Sequence, residues 1–406
     1  MISVDDAAAA IVAAFRPLPA EVVSLASALG RVLASDVAAR RTQPPADVSA
    51  MDGYAIRVAD AGAGARLRLI GQSAAGTGFG GMVGPGEAVR IFTGAPVPAG
   101  ADGILIQENA EVNGATGSTE IVVRIPPRTG RHIRGRGQDF SVGDVLLPAG
   151  RRLSARDIGL AAAMNVPWLA VHRRPRVAVL STGDELVMPG EALGPDRIVN
   201  AAGFLAAALV QSFGAEPQVL GIAPDDADAL ITMLGMAKGC DLLLTIGGAS
   251  VGDMDLVAPA LAASGFEPTF HKVAMRPGKP LLFGQLGTMP VLGLPGNPVS
   301  AGVIMVLFVR PAIEAMLALP ARGPLPKARL GTPLPANDAR QDYLRATLLD
   351  VPGGEPVATP LPVQDSAQLR AFADARCLIV RPPQAPAAEQ GQRVPVVLLD
   401  NEYPLF

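Results

Sequence analysis

From residue 176 to residue 316 the chain repeats one pattern: a short run of Val, Leu, Ile and Ala, an abrupt stop at glycine, proline or a hydroxyl, then a segment of helix length. Runs that are apolar on both faces belong to strands covered on both sides, and strands separated by helices build βαβ units around a parallel sheet. The runs fall at 176–181, 217–222, 242–246 and 289–294, with helices expected over 200–213, from 225 towards 235, and over 299–316. Parallel strands all end at one edge, where ligands bind at the switch in strand order. The most informative run is Asp241-Leu-Leu-Leu-Thr-Ile-Gly-Gly-Ala-Ser-Val-Gly-Asp-Met-Asp255, which carries a glycine pair, a hydroxyl and two carboxylates to that edge.

The flanking sequence has a different texture. Ser3 with Asp5 and Asp6 caps an alanine-rich helix that stops before Pro17, and Leu25, Leu29, Val32 and Leu33 share one face of a second helix expected over 24–33. From Arg41 turns and short β-branched runs take over, with strands expected at 89–93, 103–107 and 120–125. Another capped helix starts at 154–157 and is expected to pack with the first two, making the β module an insertion. The Pro-rich stretch 320–335 reads as a linker, and strand-like runs at 343–349, 377–380 and 394–399 as a small terminal β domain. The expected organisation is multidomain α/β: a helical region over 1–40 and 140–170, a mostly β insert over 41–139, a central parallel-sheet α/β domain over 171–318 and a β domain over 319–406.

Composition narrows the function classes. A chain of 406 residues is too long for one ordinary core. Its formal net charge of -3 argues against a nucleic-acid partner, so any anionic ligand must be held by local basic residues. The 2 cysteines, Cys240 and Cys377, lack metal-ligand spacing and give no disulfide framework; Cys240 begins an apolar run and is expected in a core. The N-terminus has acids where a signal peptide has bases, and the apolar segment 299–309 ends at Arg310-Pro311, short of the roughly 20 residues of a spanning helix. A cytoplasmic protein with no membrane partner is expected.

Several residue groups could carry chemistry at the sheet edge. Thr182-Gly183-Asp184-Glu185 follows one strand and Gly247-Gly248-Ala249-Ser250 another. Backbone N–H groups in such turns form anion-binding nests, to which Thr182 and Ser250 add hydroxyls, so a phosphate-bearing ligand suits them. The same residues also serve as ordinary tight turns. Glu185, Asp225, Asp226 and Asp253 crowd carboxylates on this rim, a hard-oxygen set suited to Mg²⁺ beside phosphates; Asp225 and Asp226 stand equally where a helix needs its cap. Lys272, Arg276 and Lys279 supply cations, in a turn stiffened by Pro277 and Pro280. Gly278-Lys279-Pro280 is not a Walker A loop, and His132, His172 and His271 have no metal-ligand spacing.

Taken together, Met51-Asp-Gly-Tyr-Ala55, Thr93-Gly-Ala95, the run from Arg134 to Asp139, Ser181-Thr-Gly-Asp-Glu-Leu186, Gly247-Gly-Ala-Ser-Val-Gly-Asp253, Pro277-Gly-Lys-Pro280 and Leu294-Pro-Gly-Asn-Pro-Val-Ser300 resemble the molybdopterin molybdenumtransferase family, related to the E domain of gephyrin. The resemblance spans nearly the whole chain. It implies an elongated four-part homodimer with its site between subunits, a molybdopterin-binding α/β domain and a C-terminal β-barrel. It also implies the reaction: molybdenum from molybdate enters adenylylated molybdopterin and AMP is released. Carried over, Asp52, Thr93, Arg134 and Asp139 come from the β insert and its flank. Glu185, Asp225 or Asp226, Asp253, Lys272, Arg276 and Ser300 come from the α/β edge. Asp52, Asp139, Glu185 and Asp253 are the expected catalytic carboxylates, with neither Asp52 nor Asp139 assigned as base. Molybdate, a tetrahedral dianion, suits the turn Arg276-Pro277-Gly278 or the turn Pro295-Gly296-Asn297-Pro298-Val299-Ser300. An enzyme that adenylylates molybdopterin and acceptor molybdoenzymes complete the expected partners.

The chain departs from the family pattern at three site positions. Ile246 stands where a serine precedes the glycine pair, Arg276 where lysine is usual, and Gln138 where glutamate is usual. In the last domain the usual Gly-Ser and Ala-Asn features appear as Gln364-Asp-Ser-Ala-Gln368 and Ala375-Arg376. Two other readings stay open beside the insertase: a non-catalytic paralogue that carries or senses the cofactor, and an adenylylating enzyme, against which the β insert and terminal β domain count.

Overall fold

The structure, a computed structural model, describes residues 1–115, 118–247 and 257–399. The chain divides into two compact units: Met1–Ser35, Ala149–Ala155 and Ala170–Phe406 form the first, and Asp36–Pro148 with Arg156–Leu169 the second.

In the first unit the apolar runs become a six-stranded sheet in the order Glu216–Ala223, Arg176–Thr182, Leu242–Ile246, Met289–Leu294, Pro280–Leu286, Phe266–Lys272. The first four strands are mutually parallel. The fifth is antiparallel to both neighbours, so the sheet is mixed where a parallel one was expected. The cause is local: Leu286 pairs with Met289 across Gly287 and Thr288, and Gly287 sits at φ 61°, so a two-residue hairpin reverses the chain. Phe266–Lys272, also unexpected, lies at the sheet margin, where Pro268 costs no ladder bond.

The period of two along each strand explains why both faces are covered. Val177, Val179, Leu242 and Leu244 join a core with Ala206 and Val210 of the helix Ala201–Ser212 and with the helix Pro298–Met316. The alternate residues Ala178, Leu180 and Leu243 pack on Leu230, Leu234, Ala260 and Leu261 of the helices Ala227–Gly235 and Val257–Ala263. Each buried Val or Leu stabilises the fold by roughly 1.5–3 kcal/mol relative to exposure. Cys240 lies in the second core as expected, and burial pushes its thiol pKa up.

Pro298–Met316 runs 19 residues, through the Arg310-Pro311 stop read from the sequence. A π-helical segment, Met305–Val309, precedes Pro311 and accommodates its missing backbone donor. Among the described residues it is the one helix long and apolar enough to cross a membrane, and 78% of its most apolar window is buried in the fold, as in a core helix.

Five strands, Gln341–Leu349, Val357–Pro360, Lys327–Leu330, Arg393–Leu398 and Cys377–Arg381, pair in that order and close back on the first, giving the expected C-terminal barrel. Ala328, Leu330, Ala346, Ile379 and Val396 fill it, with Cys377 among them. Lys327–Leu330 falls inside the stretch read as a linker; its exposed-buried alternation is that of a half-buried strand despite the surrounding prolines.

The N-terminal helix Val4–Ala13 is capped by Ser3, whose hydroxyl accepts from Asp6 N–H at 3.1 Å. Val4, Ala7 and Ile11 enter the first core, and the helix packs against the Pro298–Met316 helix. The helix Ala155–Ala163 falls largely in the second unit. No helix spans 24–33. The chain makes the strand Ala20–Ser24 and a short 3-10 turn, Leu25–Ser27; Gly30 at φ 75° then breaks the backbone, and Leu29 is exposed. Leu33 N–H instead bonds Arg151 O at 3.0 Å, and His172 N–H bonds Val32 O at 2.9 Å.

The second unit is the mostly β insert. Its six-stranded sheet runs Gly103–Ile106, Gly53–Ile56, Glu87–Ile91, Arg66–Ser73, Ser118–Val123, Ala110–Ala115. Ile56, Leu67, Leu105 and Ile121 fill one face, and Ala55, Val89, Ile91 and Ile104 the other.

Candidate active site

The four parallel strands end together, and the turns after three of them wall a cavity of about 590 Å³ in the first unit. Thr182 and Glu185 come from one turn, Gly247 from the next, and Pro295, Gly296 and Asn297 from the third. Six of the residues expected to form the site are thereby brought to one place. Pro280 also lines the cavity and pairs with Lys272, so Lys272 stands at the same sheet edge.

Two helices begin at this cavity. Ala201–Ser212 starts at Asn200, and Pro298–Met316 starts after Asn297. A helix N-terminus presents free N–H groups and the positive end of the dipole, so two of them favour a ligand bearing negative charge. The Asn297 side chain makes no capping bond, leaving its amide to the cavity it lines.

Asn200, which the sequence showed only as a helix start, is the buried hinge of the pocket. Its Oδ1 accepts from Gly203 N–H at 3.0 Å and from the Ser181 hydroxyl at 3.0 Å, tying the helix to the strand end. A Cβ at Gly203 would stand 2.6 Å from Ser181 Oγ, so the helix approaches this closely only through glycine. Asn200→Ala removes the acceptor from both donors and is expected to cost about 1–2 kcal/mol. A lower urea midpoint at unchanged slope reports that loss, and an unaltered midpoint denies the cap its structural role.

The residues 183–199 form a flap beside the cavity. Asp184 N–H donates to Asp225 Oδ2 at 3.3 Å, and Asp225 N–H donates to Asp184 Oδ1 at 3.1 Å. Arg197 donates to the Asp184 carbonyl, and Ile198 N–H to Glu185 O at 2.8 Å. Leu186, the last residue of the Ser181–Leu186 motif, and Ile198, which no motif announced, give the cavity an apolar wall.

Other expected residues are placed differently. Asp226 caps Ala227–Gly235, its Oδ1 accepting from Ala229 N–H at 2.8 Å, which is the capping alternative. Ser300 is buried in its helix. Arg276 turns towards the barrel, where it donates to Asp342 Oδ2 at 2.6 Å and approaches Asp338 Oδ2 at 3.5 Å. The backbone follows: Met275 and Arg276 pair with Gln341 and Asp342. Arg340 and Arg276 hold the Asp338 carboxyl down to about 2, so this second partner remains charged through the neutral range. Gly183, Pro277, Gly278 and Lys279 border these turns without lining the cavity, and Lys279 O accepts from Val273 N–H at 3.0 Å. Ile246 is 2% exposed and packed in the first core, so this position adds a wall and no donor. Gly248, Ser250 and Asp253 lie outside the described residues.

The second unit carries its own cluster. Asp52 Oδ1 accepts from Thr93 N–H at 2.7 Å and from the Thr93 hydroxyl at 2.8 Å, and these two donors hold its carboxyl below the usual range, with Arg90 adding to the effect. Arg90, absent from the sequence expectations, lies over Tyr54 at 5.0 Å and over Phe92 at 5.1 Å. It is the cross-strand partner of Tyr54, a pairing that only the fold reveals. Arg134 pairs with Val48 on a short antiparallel ladder, and Asp139 is exposed, its N–H bonded to Gln43 O at 3.0 Å.

The chain is similar to known proteins along most of its length. Residues 2–165 match the family described as "MoeA N-terminal region (domain I and II)", 178–315 the "Probable molybdopterin binding domain" and 327–399 the "MoeA C-terminal region (domain IV)". The chain is 38% identical to the molybdopterin molybdenumtransferase of Nostoc sp. over 82% of this chain and 78% of that protein. It is 32% identical to the Bacillus subtilis protein of the same name over 94% and 90%. Among solved structures, a molybdopterin biosynthesis MoeA protein from Pyrococcus horikoshii superposes with a TM-score of 0.81 at 30% identity, covering 98% of this chain and 99% of that one. The three family regions succeed one another along the chain, and with relatives matched over most of both lengths, the chain belongs to the molybdopterin molybdenumtransferase family.

Proposed function

We propose that this protein inserts molybdenum from molybdate into adenylylated molybdopterin and releases AMP. The observation that carries the reading is the cavity at the parallel-strand edge, where two helix N-termini and the turns at Thr182, Gly247 and Asn297 converge. That surface suits an elongated anionic ligand with an apolar portion, which Leu186 and Ile198 can face. Thr182 and the turn N–H groups bind the phosphate oxygens, while Lys272 at the same edge offsets charge that develops on the phosphate leaving group. Asp52, ionised under its two Thr93 bonds, acts in positioning the attacking oxygen.

Mg²⁺ at the acidic rim belongs to the same proposal, yet the described carboxylates alone do not make its site. Among the described residues no group of three His, Cys, Asp or Glu side chains is placed to hold a metal; one oxygen of Asp226 caps its helix, one of Asp225 accepts from Asp184 N–H, and Glu185 lines the cavity. The remaining expected ligand, Asp253, lies outside the described residues. No step is therefore routed through the ion.

The proposal extends to a cytoplasmic homodimer with the site between subunits, served by an adenylylating enzyme upstream and acceptor molybdoenzymes downstream. Ile246 favours one second reading: an apolar wall in place of a hydroxyl suits a protein that carries or senses the cofactor without turning it over. AMP release from adenylylated molybdopterin in the presence of molybdate separates the two, since a carrier binds without releasing AMP.

A further inference from the structure

The second unit contains a cavity of about 500 Å³ that none of the expected site residues lines. Its floor is Ile104 and Ile106 with Pro126 and Pro127, and its polar groups are Asn109, Arg128, Arg131 and His132. No carboxylate lines it. Elsewhere in this unit Arg57, Arg66, Arg68 and Arg124 each stand against an acid: Asp60, Glu120, Glu87 and Glu111. Among the described residues neither the Arg128 nor the Arg131 guanidinium has an ion-pair or hydrogen-bond partner, and the Asn109 side chain is likewise unbonded.

Two guanidinium groups held at one concavity repel each other, and an anion between them relieves that repulsion. The backbone fixes the cluster. Arg131 N–H bonds Arg128 O at 3.0 Å, Ile104 N–H bonds Arg131 O at 3.2 Å, and Gly130 N–H bonds Asp102 O at 2.7 Å, so the turn is laced to the strand Gly103–Ile106. His132 is held at φ 62°, a left-handed conformation rare for a side chain of this size, with its carbonyl accepting from Ala50 N–H at 2.8 Å. Burial and the Arg131 charge keep its imidazole neutral at lower pH than usual, a state that still offers one N–H donor.

We propose that this cavity is a binding site for a tetrahedral oxyanion, either a free dianion or the phosphate of a monoester, held by Arg128 and Arg131 with His132 and Asn109 as further donors. The planar fork of each guanidinium matches two oxygens of such an ion, which a lysine pair does not achieve. The proposal does not depend on the proposed reaction.

The chain has 3 histidines, so the His132 ring proton resonance of the full-length protein is a local probe that can be assigned by its loss in His132→Asn. It is followed during titration with inorganic phosphate, molybdate and AMP in turn. A saturable shift of the His132 line is expected, with an apparent Kd at least about tenfold weaker in R128Q/R131Q, because each lost charge-assisted bond contributes a factor of this order. Both arginines are exposed, so the double variant keeps its fold, which an unchanged emission of Trp168, the one tryptophan of the chain and part of the same unit, reports. Tighter molybdate than phosphate binding assigns the free dianion, and tighter AMP than phosphate binding assigns the monoester. A His132 line that none of the three anions moves, or a titration unchanged in R128Q/R131Q, overturns the proposal.

Discussion

Gly247→Val is expected to weaken molybdopterin binding by at least about a hundredfold, near 2.7 kcal/mol, whereas Gly296→Ala, in the neighbouring turn of the same cavity, is expected to change it by less than about threefold. The difference is geometric. Gly247 sits at φ 95°, and a Cβ there would stand 2.6 Å from Thr182 O and 2.9 Å from Thr182 Oγ1. Neither atom can yield cheaply, because Thr182 ends the central strand Arg176–Thr182, which is hydrogen-bonded on both sides. A side chain at Gly247 therefore costs about 1–2 kcal/mol in backbone conformation alone and also displaces the turn that carries the ligand-binding N–H groups. At Gly296 the same Cβ meets Gly247 Cα at 3.8 Å, an ordinary contact, and no left-handed φ is required. Fluorescence titration of both variants with molybdopterin decides the matter: equal affinities for the two deny that the Gly247 turn shapes the site.

Asp342→Asn is expected to raise the KM for molybdate by about tenfold with a smaller change in kcat. Asp342 is 4% exposed on its side chain and accepts from Arg276 at 2.6 Å, so it anchors the turn Arg276-Pro277-Gly278 to the barrel strand Gln341–Leu349. The amide keeps the volume and loses the charge. Arg276 is 47% exposed, so solvent screens the pair and the stability loss stays near 1 kcal/mol. The larger consequence is positional, since the turn expected to dock a dianion loses its anchor and the Arg276 guanidinium is left with the more distant Asp338. Arg276→Lys, which keeps the charge but not the fork, is expected to show the same KM-weighted defect. A molybdate KM unaltered in both variants separates this ion pair from the site.

The parts of the fold that could be read from sequence are those whose pattern is set by burial alone. Leu242–Ile246 and Met289–Leu294 are almost wholly free of polar side chains, Thr245 excepted, because they are central and covered on both faces, and both strands have the bounds that the pattern gives. Pro280–Leu286 was missed because the strand begins at a proline and runs into the next through Gly287 and Thr288, leaving no helix-length gap. The helix expected over 24–33 illustrates the converse: Leu25, Leu29, Val32 and Leu33 have helical spacing, but Gly30 and the backbone bonds of Val32 and Leu33 to distant segments override it. Lys327–Leu330 was hidden by prolines on both sides, although its alternation was present.

The site was legible wherever a turn residue is constrained by a strand end, as at Thr182, Gly247 and Pro295 to Asn297. It was illegible wherever function depends on a partner remote in sequence. Asn200 looks like any helix start until Ser181 is seen to donate to it, and Arg276 looks like a free cation until Asp342 is seen beneath it. Asp226 could be read as ligand or cap, and its 2.8 Å bond from Ala229 N–H shows the cap, which is local and leaves its second oxygen free of that bond.

The central claim is that the strand-edge cavity belongs to an enzyme that turns its ligand over. The most direct measurement mixes the full-length protein with adenylylated molybdopterin, Mg²⁺ and molybdate, quantifies AMP, and tests whether the product reconstitutes a molybdenum-free apo-enzyme. AMP release dependent on molybdate, with recovery of acceptor activity, is the expected result. Tight binding of the adenylylated ligand with no AMP released contradicts it.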